Sequence, residues 1–162
     1  MARPAMTKPV FTFTFGLSLL LALCLHFSPL RGDLTFWRPL VVFLVVLYWL
    51  LREPHQLGLG FAWMMGLLLD ILASGIPGQR ALAMLLCAYL LQLAGERLQH
   101  FSVWHQMMVV AVLAVVYQMV VILVYLMAGY DADSWRMFYP VLTTVPLWPP
   151  LAWVLSRIYQ PD

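Results

Sequence analysis

The stretch FAWMMGLLLDILASGIPGQRAL, residues 61–82, decides how the chain folds. It starts as an apolar run of the kind that crosses a bilayer, takes a carboxylate at Asp70, and passes through a glycine- and proline-rich turn into a second apolar run. An ionisable side chain is costly in hydrocarbon, so Asp70 should face protein rather than lipid. Spacing shows which side does so. Gly58, Ala62, Gly66 and Asp70 recur every four residues and share one face of a helix. Three of the four are small, and small residues at this interval let a second helix backbone come close, so that van der Waals contact drives association within lipid. Asp70 is therefore expected in a tight helix interface. The turn, marked by Gly75 and Gly78, brings Arg80 into the first turn of the next helix at the same membrane face. A pair between Asp70 and Arg80, or a hydrogen bond to Gln118, would fix helix register. A proton or ion relay would need more titratable neighbours than this segment carries.

The rest of the chain has the same character. It is 162 residues long, 64% hydrophobic and 10% charged, with a mean hydropathy of +0.88. That composition excludes an ordinary water-soluble domain and predicts an integral membrane protein. Six apolar runs are bounded by polar or turn residues, at 10–27, 39–51, 57–72, 81–94, 107–129 and 141–155. They predict an all-α membrane protein of six transmembrane helices, forming one domain over residues 1–162. The second and fourth runs hold only 13 and 14 residues, about 20 Å of helix against roughly 30 Å of hydrocarbon. Flanking residues must extend them, and Phe36, Trp37, Tyr48, Trp49, Trp104, Trp135, Tyr139 and Tyr159 are expected as interfacial anchors near run ends, while Arg38 can snorkel.

With the N-terminus inside, Arg3, Lys8, Arg52, Arg97 and Arg157 lie on the cytoplasmic face, and Arg31, Arg38, Arg80 and Arg136 lie outside. Five basic residues against four, a small bias, favour both termini in the cytoplasm. No small-x-small cleavage site precedes Pro29, so the first run is expected to remain as a span. A net charge of +2 without a basic cluster gives no reason to expect nucleic acid. Cys24 and Cys87 sit within apolar runs and predict no disulfide.

Enzyme chemistry finds no footing in the pattern. An intramembrane aspartyl protease needs two carboxylates sharing a proton on neighbouring helices. Asp131 lies where a run ends, and Asp70 follows GLLL, which lacks the glycine pattern of such sites. His26, His55, His100 and His105 are scattered without metal-ligand spacing, so neither a metal nor a cofactor is expected. Pro146, Pro149 and Pro150 in the last run predict a kink or break, with the freed carbonyls met by Thr143 or Thr144.

The run LYWLLREPHQLGLGFAWMMGLLLDILASGIPGQRALAMLLCAYLL, with WHQ before the fifth apolar run and PLWPP in the last, resembles the MreD family of rod shape-determining proteins in its proteobacterial form. The most specific part is Gly66 to Asp70, then Gly75 and Gly78, then Ala81 to Leu90. The resemblance implies a non-catalytic inner-membrane component of the wall-elongation machinery. It further implies binding to the periplasmic scaffold MreC, with actin-like MreB and the elongation glycosyltransferase and transpeptidase as fellow complex members. Six helices arranged like the substrate-binding subunits of energy-coupling-factor vitamin transporters are implied as well. On that reading, Gly58, Ala62, Gly66, Asp70, Gly75, Gly78, Arg80 and Gln118 are candidates for helix packing or partner binding. The alternative is a membrane transport subunit with a small-molecule or lipid pocket around Asp70, Arg80 and Gln118.

Overall fold

A computed structural model describes residues 8–26, 39–53, 57–94, 102–130 and 136–158. These residues form α1 (Lys8–His26), α2 (Val41–Arg52), α3 (Leu59–Leu72), α4 (Gln79–Ala94), α5 (Val103–Met127) and α6 (Tyr139–Ile158), with a 3-10 turn, Arg136–Phe138, leading into α6. Each apolar run thus holds one helix. The largest boundary difference is at α5, which begins at Val103 rather than at residue 107. The Ser102 carbonyl already accepts the amides of His105 and Gln106. Helix starts follow backbone hydrogen bonding, and polar residues such as His105 can occupy a first turn without ending it. Phe36, Trp37, Arg38, Trp135, Tyr159, Asp131, His55, His100 and the basic residues Arg3, Arg31 and Arg97 lie outside the described residues.

Among the described residues, α5 is the one helix long and apolar enough to cross a membrane by length and composition. Its 25 residues extend about 37 Å. By contrast α2, α3 and α4 are apolar but have only 12, 14 and 16 residues. For α2 the reason is position. Every residue from Val41 to Leu51 is buried, so this helix is apolar around its circumference because protein surrounds it.

Large rings fill the space around α2, and Tyr48 and Trp49, expected as interfacial anchors, are instead buried within the protein because helices enclose α2 on all sides. Trp49 meets Phe15 of α1 edge-on with centroids 5.5 Å apart, and its indole N–H donates to Ser18 Oγ at 2.9 Å. Phe43 lies 4.8 Å from Tyr117 of α5, and Tyr48 lies 6.4 Å from Trp148 of α6. Offset and edge-on pairs at such separations add to simple burial. At its start, the Leu40 amide donates to Thr144 Oγ1 at 2.9 Å, tying α2 to α6.

The prolines do not break the last helix, which runs from Tyr139 through Pro146, Pro149 and Pro150 to Ile158. A proline at 146 frees the carbonyl four residues earlier, that of Leu142. The hydroxyls of Thr143 and Thr144 instead donate to Pro140 O in the first turn. These threonines therefore do not meet the carbonyls that the prolines leave open, contrary to the expectation from sequence.

Candidate functional site

The α3–α4 hairpin is built around Gly66 and Asp70. At Gly66 a methyl group would lie 2.5 Å from Ala81 Cα, 2.7 Å from the Arg80 carbonyl oxygen and 2.8 Å from Ala81 N. No side chain fits there without moving backbone. The missing Cβ lets the first turn of α4 rest directly on α3, and Ala62 and Ala81, both at 0% exposure, continue the contact.

One turn further along the same face, Asp70 reaches the open end of α4. Its Oδ2 accepts the backbone amide of Gly78 at 2.9 Å and that of Ala81 at 3.2 Å. The Arg80 amide lies 3.0 Å from Oδ1 and 3.1 Å from Oδ2. The first amides of a helix have no partner within it and carry partial positive charge. Asp70 thus caps α4 from a different helix. Its main chain also closes α3, because the Asp70 carbonyl accepts the Gly75 amide at 3.2 Å while the Ile71 carbonyl accepts Ser74 N–H at 3.4 Å. This is the paired pattern of a Schellman motif, with Ser74 in the left-handed conformation at φ 49°. Gly78, at φ 93°, then turns the chain into α4. A single residue fixes the end of one helix and the start of the next.

Magnitudes show what keeps the carboxylate there. The Asp70 side chain is wholly buried, and an uncompensated buried charge costs several kcal/mol. Hydrogen bonds to a charged group contribute about 1.5–3 kcal/mol each, so three backbone donors offset that penalty. Arg80 Nη1 lies 3.6 Å from Oδ1, an ion pair beyond hydrogen-bond length, on a side chain 27% exposed. It contributes charge rather than direction. The backbone cap dominates, and the ion pair expected from sequence is the lesser part of the arrangement.

The remaining candidates take different places. Gly58 precedes α3 in extended backbone, and a Cβ there would meet nothing within 4 Å. At Gly75 a Cβ would lie 3.0 Å from Arg80 Nη1, so glycine there leaves room for the guanidinium. Gln118 is buried on α5 and makes no hydrogen bond to Asp70, but it borders a cavity that Arg80 also lines. The structure therefore brings together Gly66, Asp70, Gly75, Gly78 and Arg80, with Gln118 across the cavity and Gly58 apart.

Two contacts were not foreseen from the sequence. Gln79 is buried and its amide donates to the Val121 carbonyl at 2.7 Å. Cys87 Sγ lies 3.3 Å from the Leu113 carbonyl. Both join α4 to α5. A polar residue between Gly78 and Arg80 at a helix start was the available signal for Gln79; cysteine in an apolar run carries none.

A family model described as rod shape-determining protein MreD matches residues 7–158. A curated relative, Rod shape-determining protein MreD of Haemophilus influenzae, is 24% identical over 146 residues, which is 90% of this chain and 90% of the relative. No solved structure gives a significant match.

Proposed function

The chain belongs to the MreD family of rod shape-determining proteins, a membrane-associated family with a role in cell shape, and on that premise we propose a non-catalytic inner-membrane adaptor that binds MreC. In this reading it helps organise lateral peptidoglycan synthesis, alongside MreB and the elongation glycosyltransferase and transpeptidase. The six helices act as six spans of a single domain, with both termini cytoplasmic and an arrangement like that of energy-coupling-factor substrate-binding subunits. The burial of α2 supports the six-span reading. A helix of 12 residues enclosed by protein does not have to match the hydrocarbon thickness at a lipid boundary.

The observation that carries the adaptor reading is the outer face of the hairpin. Met64, Leu68 and Ile71 of α3 and Leu86, Tyr89 and Leu93 of α4 are exposed, at helical spacing, on a hairpin whose inner side is locked by Gly66 and Asp70. A rigid apolar face requires little ordering when a partner helix docks. Gly66 itself is taken up by the chain's own α4, so a partner would meet the opposite side of α3.

Co-purification with MreC provides the test. Leu68→Trp and Leu86→Trp should each reduce capture about tenfold, a change of roughly 1.4 kcal/mol. Met119→Trp and Leu123→Trp, at exposed positions of α5, should leave capture unchanged. Equal capture by all four variants would remove the hairpin face from the interface. Cross-linking from single cysteines at 64, 68 and 71, after Cys24 and Cys87 are replaced, would locate the contact independently.

A further inference from the structure

At the end of the bundle where α3 turns into α4, a cavity of about 470 Å³ is lined by residues of α1, α3, α4, α5 and α6 and by Leu40 just before α2. That volume falls within the range of small-ligand pockets, about 300–1,000 Å³. Its walls are of two kinds, apolar from Leu40, Leu72 and Val121 and polar from Ser74, Arg80 and Gln118 together with His26 and Tyr117. Asp70 is not among them, because its side chain is fully buried and its oxygens face the amides of α4. The charged group presented by α4 to the cavity is therefore the guanidinium of Arg80.

That guanidinium has unused capacity. Arg80 Nη1 is buried with no hydrogen-bond partner, since Asp70 Oδ1 stands off at 3.6 Å. A buried N–H donor left without an acceptor carries a penalty that a bound anion would remove. Gly75 makes room for this end of the guanidinium, and the Arg80 side chain as a whole remains 27% exposed. Across the cavity, Gln118 is 7% exposed and has no hydrogen-bond partner among the described residues.

We propose that this cavity binds the phosphodiester monoanion of a phospholipid headgroup, with Arg80 as its cation and Gln118 as a neutral donor. Charge selects the monoanion. Asp70 already balances much of Arg80, so a dianion would enter a nearly neutral site and meet the Asp70 carboxylate, whereas a monoanion takes the open guanidinium donors with a smaller desolvation penalty. The apolar walls suit the glycerol and the first methylenes of a lipid, which inorganic phosphate lacks.

The purified full-length protein in uncharged detergent tests this by native mass spectrometry and equilibrium titration with phosphatidylglycerol, diacylglycerol and inorganic phosphate. Phosphatidylglycerol should bind at least about tenfold more tightly than either of the others. Arg80→Gln should weaken it about tenfold, near the contribution of one charge-assisted hydrogen bond, and Arg80→Lys should retain part of the affinity. Arg80→Gln keeps all three backbone donors to Asp70, and its unfolding temperature is recorded in parallel. If that variant unfolds, Gln118→Leu on the opposite wall decides, with weakened lipid binding expected. Diacylglycerol binding as tightly as phosphatidylglycerol would overturn the proposal in favour of an apolar site. Inorganic phosphate binding equally well would overturn it in favour of a free-anion site, and lipid binding indifferent to both Arg80→Gln and Gln118→Leu would remove the cavity as its location.

Discussion

Where α3 meets α4, no side chain separates Gly66 from the backbone of Ala81, whereas α2 is held away from its neighbours by Phe43, Tyr48 and Trp49, all nearly or fully buried. The first contact draws its closeness from an absent Cβ and its register from a buried carboxylate. The second draws both from bulk, with Trp49 bonded to Ser18 and the Leu40 amide bonded to Thr144. Two interfaces in one bundle therefore fail in opposite ways. At Gly66 the hairpin fails when something is added, whereas the surroundings of α2 fail when something is removed.

The largest expected effect tests the hairpin by overfilling it. Gly66→Leu drives a side chain into the main chain of α4, and little folded protein should elute as a single species on size exclusion in detergent. Gly60→Ala is the matched control on the same helix, because a Cβ there meets nothing within 4 Å. It should be neutral or stabilise by up to about 1 kcal/mol through helix propensity. Equal recovery of Gly66→Leu and Gly60→Ala would end the close-contact argument.

Next comes the opposite failure. Trp49→Ala should destabilise by about 3–5 kcal/mol, read from denaturant unfolding, through the cavity left beside Phe15 and Tyr48. Trp49→Phe should restore most of the packing but not the bond to Ser18 Oγ. If Trp49→Ala is as mild as Gly60→Ala, the rings are not what holds α2.

Asp70→Ala should destabilise by about 3 kcal/mol, since three amides lose their common acceptor. Asp70→Asn keeps one acceptor oxygen and should recover about half of that loss. Exchanging the charges, Asp70→Arg with Arg80→Asp, should restore nothing, because an arginine at position 70 would face the positive end of α4. Restoration by the exchange would show that the ion pair, and not the cap, holds the hairpin.

The same comparison shows what the sequence made legible. Six apolar runs and the turn after Asp70 announced six helices and a hairpin, and the four-residue spacing placed Gly66 and Asp70 on one face. The partner of Asp70 was harder to read. Every residue other than proline carries a backbone N–H, so no side-chain pattern marks the three that converge on a carboxylate; the positive φ of Gly78 and the closeness at Gly66 bring them there. The position of α2 was also hidden. Residues apolar on all sides suit lipid and protein equally, and Val41 to Leu51 differ little in kind from the largely exposed face of α5.

The smallest effect concerns the end of α3. Both α3 and α5 close with the same paired hydrogen bonds, Gly75 and Ser74 to Asp70 and Ile71 in one, Tyr130 and Gly129 to Tyr125 and Leu126 in the other. The left-handed residue is Gly129 at φ 82° in α5 but Ser74 at φ 49° in α3. A residue with a Cβ in this conformation costs roughly 1 kcal/mol, so Ser74→Gly should raise stability by about 0.5–1 kcal/mol, and Gly129→Ser should lower it by a similar amount. Thermal unfolding of the two variants side by side separates backbone from side chain. Opposite shifts of similar size assign the difference to conformation alone. A loss of stability on Ser74→Gly would mean that the serine side chain, which borders the cavity beside Arg80, holds something there that the backbone preference does not explain.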